Sequence, residues 1–435
     1  MINDRISPRE RDAITQSLYA GVVPKLGLRH IQVGRAREIE ELVKDIDRIR
    51  DGGAAIRFVI GEYGSGKTFF LNLIQLVALE KGMVVMSSDL APGRRIHATG
   101  GQARSLYAEL SRNVSTRTKP NGGAMASIVE RFISQSEREA KASGRETPDL
   151  IQEKLAHLEE LTGGFSFAQV VVRYLEGFDA GDDQLKASAL RWLRAEYSTK
   201  TEARMALGVR TIIDDMGVYD HLKVFAEFVR QAGYQGLFVS IDELVNIYKL
   251  MSSRARDANY EQILRILNDA LQGSARHMGF VFGGTPEFLM DTRRGMYSYD
   301  ALRSRLTENT FANDRFVDFA GPVIRLSNLL PEDVYVLLMN IRRVMEFDET
   351  ALPNEALKAF MQHCSHRIGD AYFRTPRNTV KQFVHMLSIL KQNPSAVWKE
   401  LISEVEVKAD SGDDMREVHE DYSDELQSFQ LGAVH

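Results

Sequence analysis

The sequence predicts an α/β fold, a parallel sheet with a large helical insertion and a helical C-terminal region. Three observations predict it. "AIRFVI", Ala55–Ile60, is a short apolar run rich in β-branched residues, followed at once by "GEYGSGKT" and then by "FFLNLIQLVALEKG". Such a run, bounded by a glycine-rich loop and leading into helical periodicity, reads as a buried parallel strand. Four further apolar runs, "MVVMSSDL", "GLFVSIDE", "MGFVFGGTPEF" and "GPVIRLSNL", supply the other strands. Between the second and third strands, from about residue 100 to 232, helical periodicity is nearly continuous.

Taken in order, "PRERDAITQSLYA" (8–20) predicts a helix with Pro at its start. "GVVPKLGL" is a loop, and "HIQVGR" a short strand or turn. "AREIEELVKDIDRI" predicts an amphipathic helix with Ile39, Leu42, Val43, Ile46 and Ile49 on one side. The helix after the glycine-rich loop carries Lys81 and Gly82 as its stop signal. Six helical segments fill the insertion, broken by "TKPNGGA" and "FDAGDD". "NYEQILRILNDALQG" follows the third strand, and the chain after "LLPEDVYVLLMNIRRVME" is helical to about 395. The expected divisions are therefore 1–99 and 233–327 for two halves of an α/β core, 100–232 for the insertion, 328–402 for a helical region and 403–435 for an acidic tail. That tail either is solvated and partly disordered or contacts a partner.

Composition narrows the functional classes. The 435 residues leave room for two or three domains. A content of 44% hydrophobic and 26% charged residues is ordinary for a soluble globular protein. A net charge of −5 gives no global basic field for nucleic acid, although a local patch remains open. One cysteine, Cys364, rules out a disulfide framework and a cysteine metal site, and suits a cytoplasmic location. No apolar run approaches the roughly 18 residues of a membrane helix, so no membrane partner is expected. The charged start "MINDRISPRERDAITQSL" lacks a signal-peptide core.

Gly61, Gly66, Lys67 and Thr68 match G-x-x-x-x-G-K-[ST] in full. The motif points to a phosphate loop, with the backbone of Gly61, Glu62, Tyr63, Gly64, Ser65, Gly66, Lys67, Thr68 and Phe69 wrapped around ATP phosphates. Glycines let successive N–H groups turn inward, Lys67 reaches the β- and γ-phosphates, and the Thr68 hydroxyl binds Mg²⁺. "LFVSIDE" ends in Asp242 and Glu243. Beside the phosphate-loop strand, Asp242 would hold Mg²⁺ through its waters and Glu243 would polarise the attacking water. The alternative is an ordinary acidic turn. Thr285, in "GGTPEF", either sits between the phosphate loop and the Asp242–Glu243 pair, where it positions water or senses the γ-phosphate, or the glycines make a tight turn and Thr285 caps the next helix.

Arg303 and Arg305 in "YDALRSRLTENTF" offer a cation to a neighbouring subunit's γ-phosphate, or lie on an exposed basic helix. Arg377, and less so Arg374, in "YFRTPRNTVKQFV" could fold onto the same subunit's nucleotide, or sit at the surface. "PGRRIHATGGQARSLYAELSRNVSTRTK" gathers Arg94, Arg95 and Arg104 among few acids, a stretch suited to DNA phosphates or to a solvated face. Trp192, at helical spacing, reads as core.

"VGR" with "AREIEEL", then "GEYGSGKT", "LFVSIDE", "GGT", "LRSRL" and "TPRNTV", resembles an AAA+ ATPase of the initiator and origin-recognition clade. The resemblance implies that Val33, Gly34 and Arg35 pack near the adenine, that Arg305 acts in trans, that Arg377 is the lid arginine, and that 328–402 form the lid. More narrowly, "GVVPKLGLRHIQVGR", "GEYGSGKTFFL", "LGVRTIIDD" and "DELVNIYKL" resemble the BrxD-type ATP-binding proteins of bacteriophage exclusion (BREX) systems, over residue 8 to about 395. This implies ATP and Mg as cofactors and antiviral defence as the role. The implied partners are further copies of the chain or other defence proteins, with DNA as an additional one. A slowly hydrolysing ATP-gated switch and an origin-type DNA loader use the same residues.

Two departures qualify the resemblance. The gap from Lys67 to Asp242 far exceeds the roughly 60 residues that two strand–helix steps need. The winged-helix module that commonly follows the lid of initiators has no counterpart in the acidic stretch.

Overall fold

The computed structural model describes residues 5–311, 318–368 and 376–404. The expected acidic tail beyond 404, and Arg374, lie outside these residues. Two compact units emerge. One gathers Val23–Glu62 and Lys67–Ser327; the other holds the described parts of 1–22 and 328–404 together with Tyr63–Gly66.

The larger unit is built on a five-stranded parallel sheet. Its strands are β1 (Ala54–Ile60), β2 (Val84–Asp89), β3 (Leu237–Asp242), β4 (Met278–Gly284) and β5 (Val323–Arg325). All five expected strands are present. The order across the sheet is β2-β3-β4-β1-β5. This corrects one expectation: β3 does not lie beside β1, because β4 comes between them, pairing with β1 over Ala54–Ile60 and with β3 over Leu237–Ile241.

A parallel sheet needs cover on both faces. On one face, alternate residues Ala55, Val59, Val85, Phe238 and Val281 pack with α2 (Ala36–Arg50) and α3 (Lys67–Glu80) through Leu42, Ile46, Ile49, Phe70 and Ile74. Helix α2 buries Leu42, Ile46 and Ile49 as its spacing predicts, but also Asp45. Asp45 is the partner of Arg57, a charge in the middle of β1 on the same face. Arg57 Nε donates to Asp45 Oδ2 at 2.5 Å, and its guanidinium also meets the carbonyls of Phe319 and Gly321. Periodicity alone did not reveal this buried ion pair.

The other face is covered by the insertion together with the helix Ser253–Gln272, which packs on β1. The helices of the insertion are α4 (Gln102–Arg112), α5 (Met125–Ser143), α6 (Thr147–Glu159), α7 (Gly164–Ala180), α8 (Asp183–Leu193), α9 (Lys200–Leu207) and α10 (Val218–Gln231). Helix α4 packs on β2 and α10 on β3. One hydrophobic core joins Ile56, Phe58, Met86, Val239 and Phe280 of the sheet to Leu106, Phe132, Phe167, Trp192 and Phe228 of the insertion. Trp192 is buried, as its spacing predicts, and its Nε1–H donates to the carbonyl of Thr211.

The sheet is completed by α11 (Val245–Tyr248), α12 (Ser253–Gln272), α13 (Pro286–Met290) and α14 (Asp300–Leu306). In the second unit, α1 (Pro8–Ala20) starts with a capping box between Ser7 and Glu10 and ends at Gly21. It packs with α15 (Pro331–Val344) and α17 (Pro376–Gln392), beside α16 (Asn354–Ile368) and α18 (Trp398–Glu404). Ile14, Leu338, Ile341, Phe360, Phe383 and Leu387 are buried there.

Candidate functional site at the strand ends

The C-terminal ends of parallel strands are where such sheets place ligands. At the end of β1 the chain turns through the glycine-rich loop into α3, whose first residue is Lys67. Gly66 has φ +85°, a left-handed conformation that an L side chain adopts only with strain. Lys67 Nζ donates to the carbonyls of Gly61 and Glu62, each at 2.8 Å, so the ammonium lies over the start of its own loop. Burial lowers the Lys67 pKa, opposed by the charges of Asp242, Glu243, Glu62 and Glu287. Gly61 N–H donates to the carbonyl of Gly284, tying the loop to the end of β4. Glu62 and Tyr63 are exposed, Ser65 is buried and Phe69 is half-buried.

Strand β3 delivers Asp242, which is buried. Thr68 Oγ1 donates to Asp242 Oδ2 at 2.9 Å, joining residues 174 positions apart. The other carboxylate oxygen accepts the Glu243 N–H at 2.8 Å. Room for this carboxylate comes from β4. A Cβ on Gly283 would lie 2.1 Å from Asp242 Oδ1. Neither reading of "GGT" from the sequence gives the glycines this role, in which Gly283 makes room for Asp242.

Glu243 follows with φ +60°, unusual for a residue with a side chain. Its carboxyl lies at the exposed rim of the site. Partial burial and the charges of Asp242 and Asp89 raise its pKa above the usual carboxylate range. Asp89, at the end of β2, pairs in register with Asp242. Burial and the Asp242 charge raise its pKa too. Sequence reasoning missed Asp89, although "VVMSSD" and "LFVSID" end alike and run side by side in the sheet.

The remaining candidates fall in several places. Thr285 directly follows β4, the strand between β1 and β3, and its hydroxyl accepts the Phe288 N–H as the cap of α13. Arg305 is exposed on α14, donating Nε to Asn268 Oδ1 at 2.9 Å and another N–H to the Ala301 carbonyl. Arg303 is exposed on the same helix. Arg377 lies at the start of α17 and donates to the Gly21 carbonyl at 2.8 Å, holding the end of α1 within the second unit. Val33, Gly34 and Arg35 form the turn into α2, after a 3₁₀ turn at Leu28–His30. Of the two options open for "HIQVGR", the structure takes the turn. Arg35 itself adopts φ +59°.

Among the three basic candidates, Arg94 reaches Glu109 at 3.6 Å, and Arg94 and Arg95 are both half-buried. Their loop is fastened by Asn259, which exchanges hydrogen bonds with the backbone of His97. Arg104 gives a guanidinium N–H to the Tyr197 carbonyl at 2.8 Å, a bond internal to the fold. Its own N–H and that of Gly101 are taken by Asp215, from the "LGVRTIIDD" segment. No helix among the described residues is long and apolar enough to cross a membrane.

Compared with known proteins, the chain matches a family model described as BREX system ATP-binding protein BrxC/D over residues 6–406. No curated protein and no solved structure matches it.

Proposed function

The chain belongs to the BREX system ATP-binding protein BrxC/D family, and from that premise we propose that it is an ATP-hydrolysing enzyme of AAA+ type, of the initiator and origin-recognition clade. The observation that carries this reading is the hydrogen bond between Thr68 and Asp242, with Lys67 at the first position of the same helix. A hydroxyl and a buried carboxylate in contact, beside a lysine on a glycine-rich turn, form a donor set for a phosphate-bound cation. Both donors are hard oxygens, as Mg²⁺ prefers, and a Mg²⁺ that keeps waters and phosphate oxygens needs few protein ligands. Thr68 and Asp242 would hold it. When bound, the ion supplies charge neutralisation on the β- and γ-phosphate oxygens.

The chain's own residues do the rest. Lys67 exchanges its carbonyl partners for phosphate oxygens. The loop from Gly61 to Phe69 encloses the phosphates, and Val33, Gly34 and Arg35 flank the base. Glu243 orients the attacking water and takes its proton, a task suited by a carboxyl whose pKa is raised. Thr285, directly after the strand between β1 and β3, holds that water from the other side. In this reading the helical region 328–402 is a lid whose angle follows the nucleotide, with Arg377 leaving the Gly21 carbonyl for the γ-phosphate. Arg305 serves a neighbouring copy in a homo-oligomer or in an assembly with other defence proteins. DNA contact falls to Arg94 and Arg95, because Arg104 is bonded inside the fold.

Steady-state phosphate release tests the proposal. Lys67→Ala is expected to abolish both binding and turnover. Turnover that survives Lys67→Ala unchanged would refute the site.

A further inference from the structure

Glu243 is held in a conformation that its side chain disfavours, and the residue that holds it is outside the motif. Backbone with φ +60° is strained for a residue with a side chain and persists only when neighbours fix it. Three contacts secure the turn from the strand side. Asp242 Oδ1 accepts the Glu243 N–H, Leu90 N–H donates to the Asp242 carbonyl, and Leu244 N–H donates to the Gly283 carbonyl. The fourth anchor is Asn246, in α11. Its Nδ2 donates to the Leu90 carbonyl at 2.9 Å and to the Glu243 carbonyl at 3.2 Å. Its backbone N–H also donates to the Glu243 carbonyl, at 3.0 Å.

One amide therefore spans the exits of β2 and β3, immediately after Asp89 and Asp242. We infer that Asn246 is a positioning residue for Glu243, setting where the carboxylate that activates water stands relative to Asp242. The inference rests on the hydrolytic reading of the site. The chemistry needs an amide at this position. Two carbonyl oxygens face the side chain, so only a group with two N–H donors satisfies both. An aspartate there would turn oxygens against oxygens. The side-chain hydrogen bonds of Asn246 go to Leu90 and Glu243, not to Thr68 or Lys67, so nucleotide affinity is expected to be independent of it.

The test is a double-mutant cycle on the full chain with ATP as the probe. Asn246→Ala is expected to lower kcat on the order of tenfold or more, the scale at which a catalytic group is misplaced, with the ATP Kd within twofold of wild type. In a Glu243→Gln background the same substitution is expected to change single-turnover hydrolysis by less than twofold, because the carboxylate it positions is already gone. If Asn246→Ala fails to fold, Asn246→Asp, which keeps the size and removes the donors, reads the same cycle. A loss of rate equal in both backgrounds, or no loss in either, overturns the assignment of Asn246 alone. A wild-type turnover indifferent to Lys67→Ala overturns the hydrolytic reading, and this inference with it.

Discussion

Gly283 sets how closely β4 approaches Asp242. An added methyl would collide with Oδ1, so Gly283→Ala must rotate the carboxylate off Thr68 or push the strands apart. The expected cost is about 1–3 kcal/mol of stability in urea unfolding, with turnover falling on the order of tenfold. Wild-type values for both would contradict the geometry. Arg57 makes a different demand. It and Asp45 are both buried, and the pair is tied to the carbonyls of Phe319 and Gly321. Without Arg57 the buried Asp45 keeps only a bond from the largely exposed Arg48 at 3.0 Å, so Arg57→Met is expected to cost about 3 kcal/mol, measured by the same unfolding curve. At this scale the sequence was legible where a motif fixes spacing, as for Lys67, Thr68 and Asp242. It was illegible where a role depends on a residue from a distant element. Gly283 and Asp89 acquire their partners through the sheet order, and Arg57 through the packing of α2 on β1.

At the scale of elements, α4 and the "LGVRTIIDD" segment depend on each other. The residue before α4 is Gly101, which has no side chain to cap the helix, and Asp215 accepts the N–H groups of Gly101 and Arg104 instead. Asp215→Ala is expected to cost about 0.5–2 kcal/mol, the usual value of a lost cap, and to lower the melting temperature by a few degrees. Helix α10 carries a second dependence. His221 is buried, with Nδ1 at the Gly217 carbonyl and its ring against Trp192, and burial lowers its pKa from the ordinary value. The folded state thus favours the neutral imidazole, while the unfolded chain binds a proton more readily. That contribution to stability is full above the unfolded pKa of about 6.5 and is lost as pH falls below it. Melting temperature between about pH 7 and pH 5 is expected to fall more steeply in wild type than in His221→Gln; equal slopes would remove His221 as the cause. Element positions were largely readable from periodicity, including α1 at Pro8–Ala20 and all five strands. The capping role of "TIIDD" was not, because no local rule links residue 215 to residue 101.

For the whole molecule, the sequence predicted an insertion between β2 and β3 but not its task. Its helices share a core with one face of the sheet. The α/β unit therefore includes that stretch, and helices elsewhere in such folds do the same work of keeping apolar strands from water. Strand order was legible only in part, in the place expected for Thr285 between the two motifs. Apolar runs announce strands without saying which neighbours they take, and the insertion of β4 between β1 and β3 is what brings Gly283 to Asp242 and Thr285 between the two motifs. If Lys67, Thr68, Asp242 and Glu243 form one hydrolytic ATP site, Glu243→Gln leaves ATP affinity close to wild type and slows single-turnover hydrolysis of bound ATP on the order of 100-fold or more, the usual contribution of a positioned general base. Hydrolysis at the wild-type rate would show that Glu243 is not that base.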